Sequence, residues 1–126
     1  MKIEFLAEGS KNCPLIRLYE FDQGAALRLK ELVSALAART ATSTSLHKQP
    51  WIEAIDDCKL ELRLAIRDQG VIQVGPLRFE FVLSSEGWTD VDFLLDPFCD
   101  GKPSSGFQWL SDRGKISLLI SSNGKW

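Results

Sequence analysis

Hydrophobic and polar positions alternate most clearly between residues 59 and 83. In Lys59–Arg67, Leu60, Leu62, Leu64 and Ile66 fall on one side of an extended chain, and Lys59, Glu61, Arg63 and Arg67 on the other. A period of two is that of a strand with one buried and one wet face. Asp68-Gln69-Gly70 reads as a turn, Val71–Val74 as a second strand, and Gly75-Pro76 as another turn. Leu77–Leu83 resumes the alternation with Leu77, Phe79, Phe81 and Leu83 inward. The pattern predicts a meander whose outward Glu61, Arg63, Arg67, Arg78 and Glu80 can pair across strands.

Upstream, Ile3–Leu6 is a strand candidate closed by Gly9-Ser10-Lys11-Asn12. Pro14 opens a second strand, Leu15–Phe21, with Leu15, Arg17, Tyr19 and Phe21 on one face, and the two strands read as a hairpin. Asp22 is a natural N-cap for a helix over residues 24–39. In that helix Leu29, Leu32, Val33 and Leu36 recur at helical spacing, so it packs one face on a sheet. Thr40–Ser45 has no periodicity and reads as an exposed loop.

After the meander, Ser84-Ser85-Glu86-Gly87 reads as a break. Thr89-Asp90-Val91-Asp92 resembles a capping box and predicts a short helix over residues 89–96, stopped by Pro97. Cys99–Gly106 reads as a loop, and Phe107–Leu110 and Lys115–Ser121 as a hairpin turning at Asp112-Arg113-Gly114. Asn123-Gly124 favours a type I′ turn. Together these elements predict an α+β fold, a mostly antiparallel sheet of about six to eight strands with the long helix on one face and the short one beside it. No repeat or linker divides the chain, so residues 1–126 read as a single domain.

Composition narrows the function. Apolar residues make up 44% and charged residues 25% of the 126, an ordinary globular balance. A net charge of −2 without a basic run disfavours nucleic acid as a partner. No stretch approaches the roughly 20 apolar residues of a membrane span, and Met1–Ala7 lacks the apolar core of a signal peptide, so no membrane partner is expected. The cysteines Cys13, Cys58 and Cys99 are odd in number and unpaired in spacing, and His47 is the only histidine. Reduced, mostly buried thiols and a cytoplasmic, bacterial setting are the corresponding expectation.

Candidate chemistry concentrates between Trp88 and Trp109. Asp92 and Asp96 lie four apart on the short helix and, with Asp90 and Asp100, are candidate ligands for a hard cation. Helix-start electrostatics accounts for Asp90 and Asp92 without a metal, and no cofactor is expected. A Cys99–His47 nucleophile and base is a weak candidate, because Asp100 beside the thiol opposes its ionisation. Ser45-Leu46-His47-Lys48 fits S-x-x-K, and Gly101–Gly106 superficially resembles a phosphate loop, but both lack their accompanying residues. The aromatic set Trp88, Phe93, Phe98, Phe107 and Trp109 reads mainly as core, with Trp88, Phe98, Asp100, Phe107 and Trp109 as the candidate contact surface. Trp126 is the aromatic expected to be exposed, and Trp51 a possible anchor for a loop or a neighbouring chain. The expected function is therefore non-enzymatic: a protein-interaction or accessory domain that binds a protein partner or self-associates. A small-ligand domain with a pocket near the short helix is the alternative, and a metal-dependent hydrolase built on the aspartates ranks third.

Overall fold

The Asp22 carboxylate caps the first long helix, with Oδ1 accepting from the Ala25 amide at 2.9 Å. This helix, α1 (Gln23–Ala37), buries Ala25, Ala26, Leu29, Val33 and Leu36 along one stripe, with Leu32 at its margin. It ends in a Schellman turn. Arg39 takes a positive φ of 64°, its amide bonds Leu36 O at 3.1 Å, and the Thr40 amide bonds Ala35 O at 2.9 Å. The structure, a computed structural model, describes residues 1–8, 14–100 and 106–126. Cys13, the turn expected at residues 9–12 and most of the Gly101–Gly106 stretch lie outside the described residues.

The fold is α+β, but its strands divide into two mixed sheets in place of one mostly antiparallel sheet. Before α1 come β1 (Lys2–Leu6) and β2 (Leu15–Tyr19). Between the helices lie β3 (Ser43–Ser45), β4 (Glu53–Ala54), β5 (Lys59–Leu64), β6 (Gly70–Gly75) and β7 (Arg78–Leu83). The second helix is α2 (Ser85–Cys99), followed by β8 (Phe107–Ser111) and β9 (Ser117–Ser121). One sheet has the order β4-β1-β2-β9-β8, the other β3-β5-β7-β6. The pairs β1/β4, β2/β9 and β5/β7 are parallel, and the remaining pairs antiparallel.

The expected meander fails for a physical reason. Alternation assigns faces, and Leu60, Leu62, Phe79 and Phe81 do point into the core, but it carries no information about which strands are neighbours. β5 pairs in parallel with β7, Leu60 opposite Phe79, while β6 turns back onto the far side of β7. The connecting loop crosses the end of β7, where the Ala65 amide bonds Leu83 O and the Gln69 amide bonds Val82 O. Thr40–Ser45, expected as a loop, contains β3 on an edge, with Ser43 opposite Arg63. The β1–β2 hairpin forms as expected, Ile3 opposite Leu18.

The second helix is longer than the expected residues 89–96. Its N-cap is Ser84, not Thr89: Ser84 Oγ accepts from the Gly87 amide at 3.2 Å. The Ser84 amide and hydroxyl both donate to Asp68 Oδ1, at 2.8 and 2.7 Å. Gly87 sits mid-turn because a Cβ there would lie 2.5 Å from Asp68 Oδ1 and 3.0 Å from Leu83 Cβ. Pro97 falls inside the last turn. It removes one helical hydrogen bond on a side where Phe93 and Pro97 are both exposed and water can replace it.

Both helices and both sheets feed one core. Phe5 and Phe79 meet across the sheets at 4.7 Å between ring centroids, and Phe81 meets Trp88 at 5.0 Å. The void at its centre, walled by Leu29, Leu62 and Trp88 among others, measures about 10 Å³, enough for one water at most.

Candidate functional site

The aspartates serve the helix pair. Lys30 on α1 reaches across to Asp92 Oδ1 at 2.6 Å and Asp96 Oδ1 at 2.8 Å, and Ser34 Oγ donates to Asp92 at 3.0 Å. Partial burial pulls the Lys30 ammonium down, but hydrogen bonds to Asp92 and Asp96 outweigh it and hold the pKa above the ordinary value. The repulsion expected between Asp92 and Asp96 is thus relieved by a lysine. Asp90 is exposed, and Asp100 caps the end of α2. Among the described residues, no group of three or more His, Cys, Asp or Glu side chains is placed to hold a metal ion.

Cys99 is half-buried, and burial pushes its thiol up; Lys30 opposes this, while Asp96, Asp92 and Asp100 add to it. His47 lies in the short 3₁₀ turn Leu46–Lys48, where its Nδ1 accepts from the Leu60 amide at 3.1 Å. That ring nitrogen is committed to the start of β5. Cys58 is buried, which pushes its thiol up to about 12.

The proposed aromatic surface separates into two groups. Trp88 is fully buried, and its Nε1 donates to Arg63 O at 3.0 Å, joining α2 to β5. Phe98 is buried edge-on against Phe21 at 5.7 Å. Phe107 and Trp109 stand on the outer face of the five-stranded sheet, in contact with each other at 6.5 Å.

Strand register builds that outer face. Glu4, Arg17, Leu119 and Trp109 form one row across β1, β2, β9 and β8; Lys2, Tyr19, Ser121 and Phe107 form the next. Arg17 is its hub. Its Nε and Nη2 donate to Glu4 Oε1 at 2.8 and 2.6 Å, and its guanidinium carbon lies 3.9 Å from the centre of the Tyr19 ring. Its Nη1 donates to Gly124 O at 3.1 Å, which draws residues 122–126 over the face. Gly124 permits that approach with φ +78°, since a Cβ there would meet Tyr19 Cδ2 at 3.2 Å. Only Gly124 of the Asn123-Gly124 pair takes a positive φ, so the expected type I′ turn does not form. Ser121 Oγ donates to Lys125 O at 2.6 Å, and Trp126 lies 5.9 Å from the Arg17 guanidinium.

Arg17 and Tyr19 were assigned to one strand face by alternation, but nothing local marked them as site residues. Their significance depends on β9 and β8, about a hundred positions later, pairing beside β2. Phe107 remains 47% and Trp126 37% exposed. The outer face of the other sheet differs in kind: it carries Lys59, Glu61, Arg63, Arg78 and Glu80, with Arg63 and Glu80 paired at 3.2 Å. That is a solvated face.

One open cleft of about 580 Å³ lies beside the start of α2, walled by Arg39, Leu64, Ile66, Ser85 and Glu86. None of its lining residues is aromatic, and the Ser84 amide and hydroxyl at its rim are already committed to Asp68. Among the described residues, no helix is long and apolar enough to cross a membrane. No known protein family, no curated protein and no solved structure matches the chain.

Proposed function

We propose that the chain is a non-enzymatic protein-interaction domain whose contact surface is the outer face of the five-stranded sheet. The observation that carries this reading is the contrast between the two outer sheet faces: one is rich in charge, while on the other partly exposed Phe107 stands against Trp109 and partly exposed Trp126 against Arg17, above buried Tyr19, Leu119 and Ser121. Aromatics and arginine are the residue types that dominate binding energy at interfaces. Arg17, part-buried and bonded to Glu4 and Gly124, is held in place before binding, so little rotamer freedom remains to be lost there. Phe107 and Trp126 keep apolar area for a partner, and burying the part still exposed would contribute about 0.5–1.5 kcal/mol each. The commitment of His47 and the raised thiols of Cys58 and Cys99 support a non-catalytic role. Three widely spaced cysteines support a reducing, cytoplasmic setting.

The reading is tested by affinity capture from the source cell with the wild-type chain, Phe107→Ser and Arg63→Ser. The expected result is a protein retained by the wild type and Arg63→Ser and lost with Phe107→Ser. Retention unaffected by Phe107→Ser but lost with Arg63→Ser would move the contact surface to the other sheet.

A further inference from the structure

We infer that this face is completed by a second copy of the chain, joined antiparallel along β8 about a two-fold axis through Gln108. The inference rests on the outer face being a contact surface and names the partner. Edge strands are the natural places for such joining, and most edges here are blunted. β4 has two residues and β3 three. β6 is interrupted by a bulge between Gln73 and Gly75, and its start lies against the end of β8, with the position a Gly70 Cβ would take 3.5 Å from Ser111 Oγ and 3.7 Å from Arg113 O. β8 is different. It has five residues, Phe-Gln-Trp-Leu-Ser, none of them charged, and among the described residues it is paired with β9 alone.

Its sequence is also self-complementary. The ladder is regular from Phe107 to Trp109 and shifts only beyond it. A two-fold axis at Gln108 sets Phe107 opposite Trp109 of the partner subunit, and Trp109 opposite the partner's Phe107. All four rings then fall on the outer face, since residues two apart share a side. Aromatic cross-strand pairs are among the favourable ones, and an isologous contact makes each pair twice. The half-exposed Phe107 would thereby bury part of its ring. The two sheets would join as one, and the aromatic rows would become continuous. A contact of one short strand pair and four rings falls at the small end of protein interfaces, so a weak, concentration-dependent dimer follows.

Sedimentation equilibrium from about 10 µM to about 1 mM is the measurement, a range that brackets weak association. The wild type is expected to pass from monomer to dimer, and Phe107→Lys, folded by circular dichroism, to need at least tenfold more protein. Under mild oxidation Gln108→Cys is expected to give a disulfide-linked dimer, because the axis brings the two copies of that residue opposite each other. Val74→Cys on β6 and the wild type, treated alike, are expected to give none. A wild type that stays monomeric throughout overturns the self-pairing, while the capture experiment with Phe107→Ser still decides the contact surface independently. A dimer unchanged in Phe107→Lys, or one linked through Val74→Cys and not Gln108→Cys, overturns the assignment to β8.

Discussion

Gly87→Ala tests how the second helix is anchored. The new Cβ would lie 2.5 Å from Asp68 Oδ1 and 3.0 Å from Leu83 Cβ. Leu83 is buried, so the carboxylate is the group that must yield. Asp68 moves only by giving up its hydrogen bonds from the Ser84 amide and hydroxyl, at 2.8 and 2.7 Å. Hydrogen bonds to a charged acceptor contribute about 1.5–3 kcal/mol each when buried; partial solvent exposure at this site brings the combined loss nearer about 2–3 kcal/mol. Alanine recovers about 1 kcal/mol over glycine inside a helix. The net cost is therefore about 1–2 kcal/mol, measured by urea unfolding followed through tryptophan fluorescence. In an Asp68→Ala background the obstructing carboxylate is gone and its bonds already lost, so Gly87→Ala is expected to cost clearly less, with only the Leu83 Cβ contact left to relieve. Acid gives a second readout. The hydrogen bonds from the Ser84 amide and hydroxyl hold the Asp68 carboxyl below its ordinary pKa, partial burial opposing and Arg113 assisting. Its contribution is therefore present above the unfolded carboxyl's pKa and fades as pH falls through the lower, folded value. Gly87→Ala is expected to lose that part of the acid dependence. An equal cost of Gly87→Ala in both backgrounds would refute the reasoning.

Three further outcomes follow from named contacts. Arg17→Lys keeps the charge but not the planar fork shared among Glu4, Tyr19 and Gly124, and is expected to destabilise by about 1–3 kcal/mol and to loosen residues 122–126, read as faster amide exchange there. Lys30→Met leaves Asp92 and Asp96 facing each other and is expected to cost about 0.5–1 kcal/mol at low salt and less at high salt, by thermal unfolding at two ionic strengths. Arg39→Gly relieves a left-handed residue in the turn ending α1 and is expected to stabilise by about 0.5–1 kcal/mol in the same urea assay.

What the sequence made legible was local. Asp22 as a cap, the Leu29–Leu36 stripe and the inward sides of β5 and β7 follow from hydrogen-bonding and burial rules within a few residues. Strand order was not legible, because β5/β7 and β2/β9 are parallel pairs between segments that are not consecutive. The start of α2 was misread for a similar reason. Ser84-Ser85-Glu86-Gly87 resembles a turn until Asp68, sixteen residues earlier, is seen to bond Ser84 and to require glycine at position 87. The candidate site was half visible. Phe107 and Trp109 stood out as aromatics among small polar residues, whereas Trp88 and Phe98 of the same stretch belong to the core and Arg17, Tyr19 and Glu4 join the face only through sheet register.

The central claim is that the aromatic face of the five-stranded sheet is where this chain meets a protein. Amide hydrogen exchange of the chain, free and dilute against bound to its captured partner or concentrated into its dimer, tests it most directly. The account predicts added protection in Phe107–Ser111 in either case, and in residues 121–126 where a captured protein covers the face, with the β5 and β7 amides unchanged. Added protection confined to Lys59–Leu64 and Arg78–Leu83, with β8 unchanged, would contradict it.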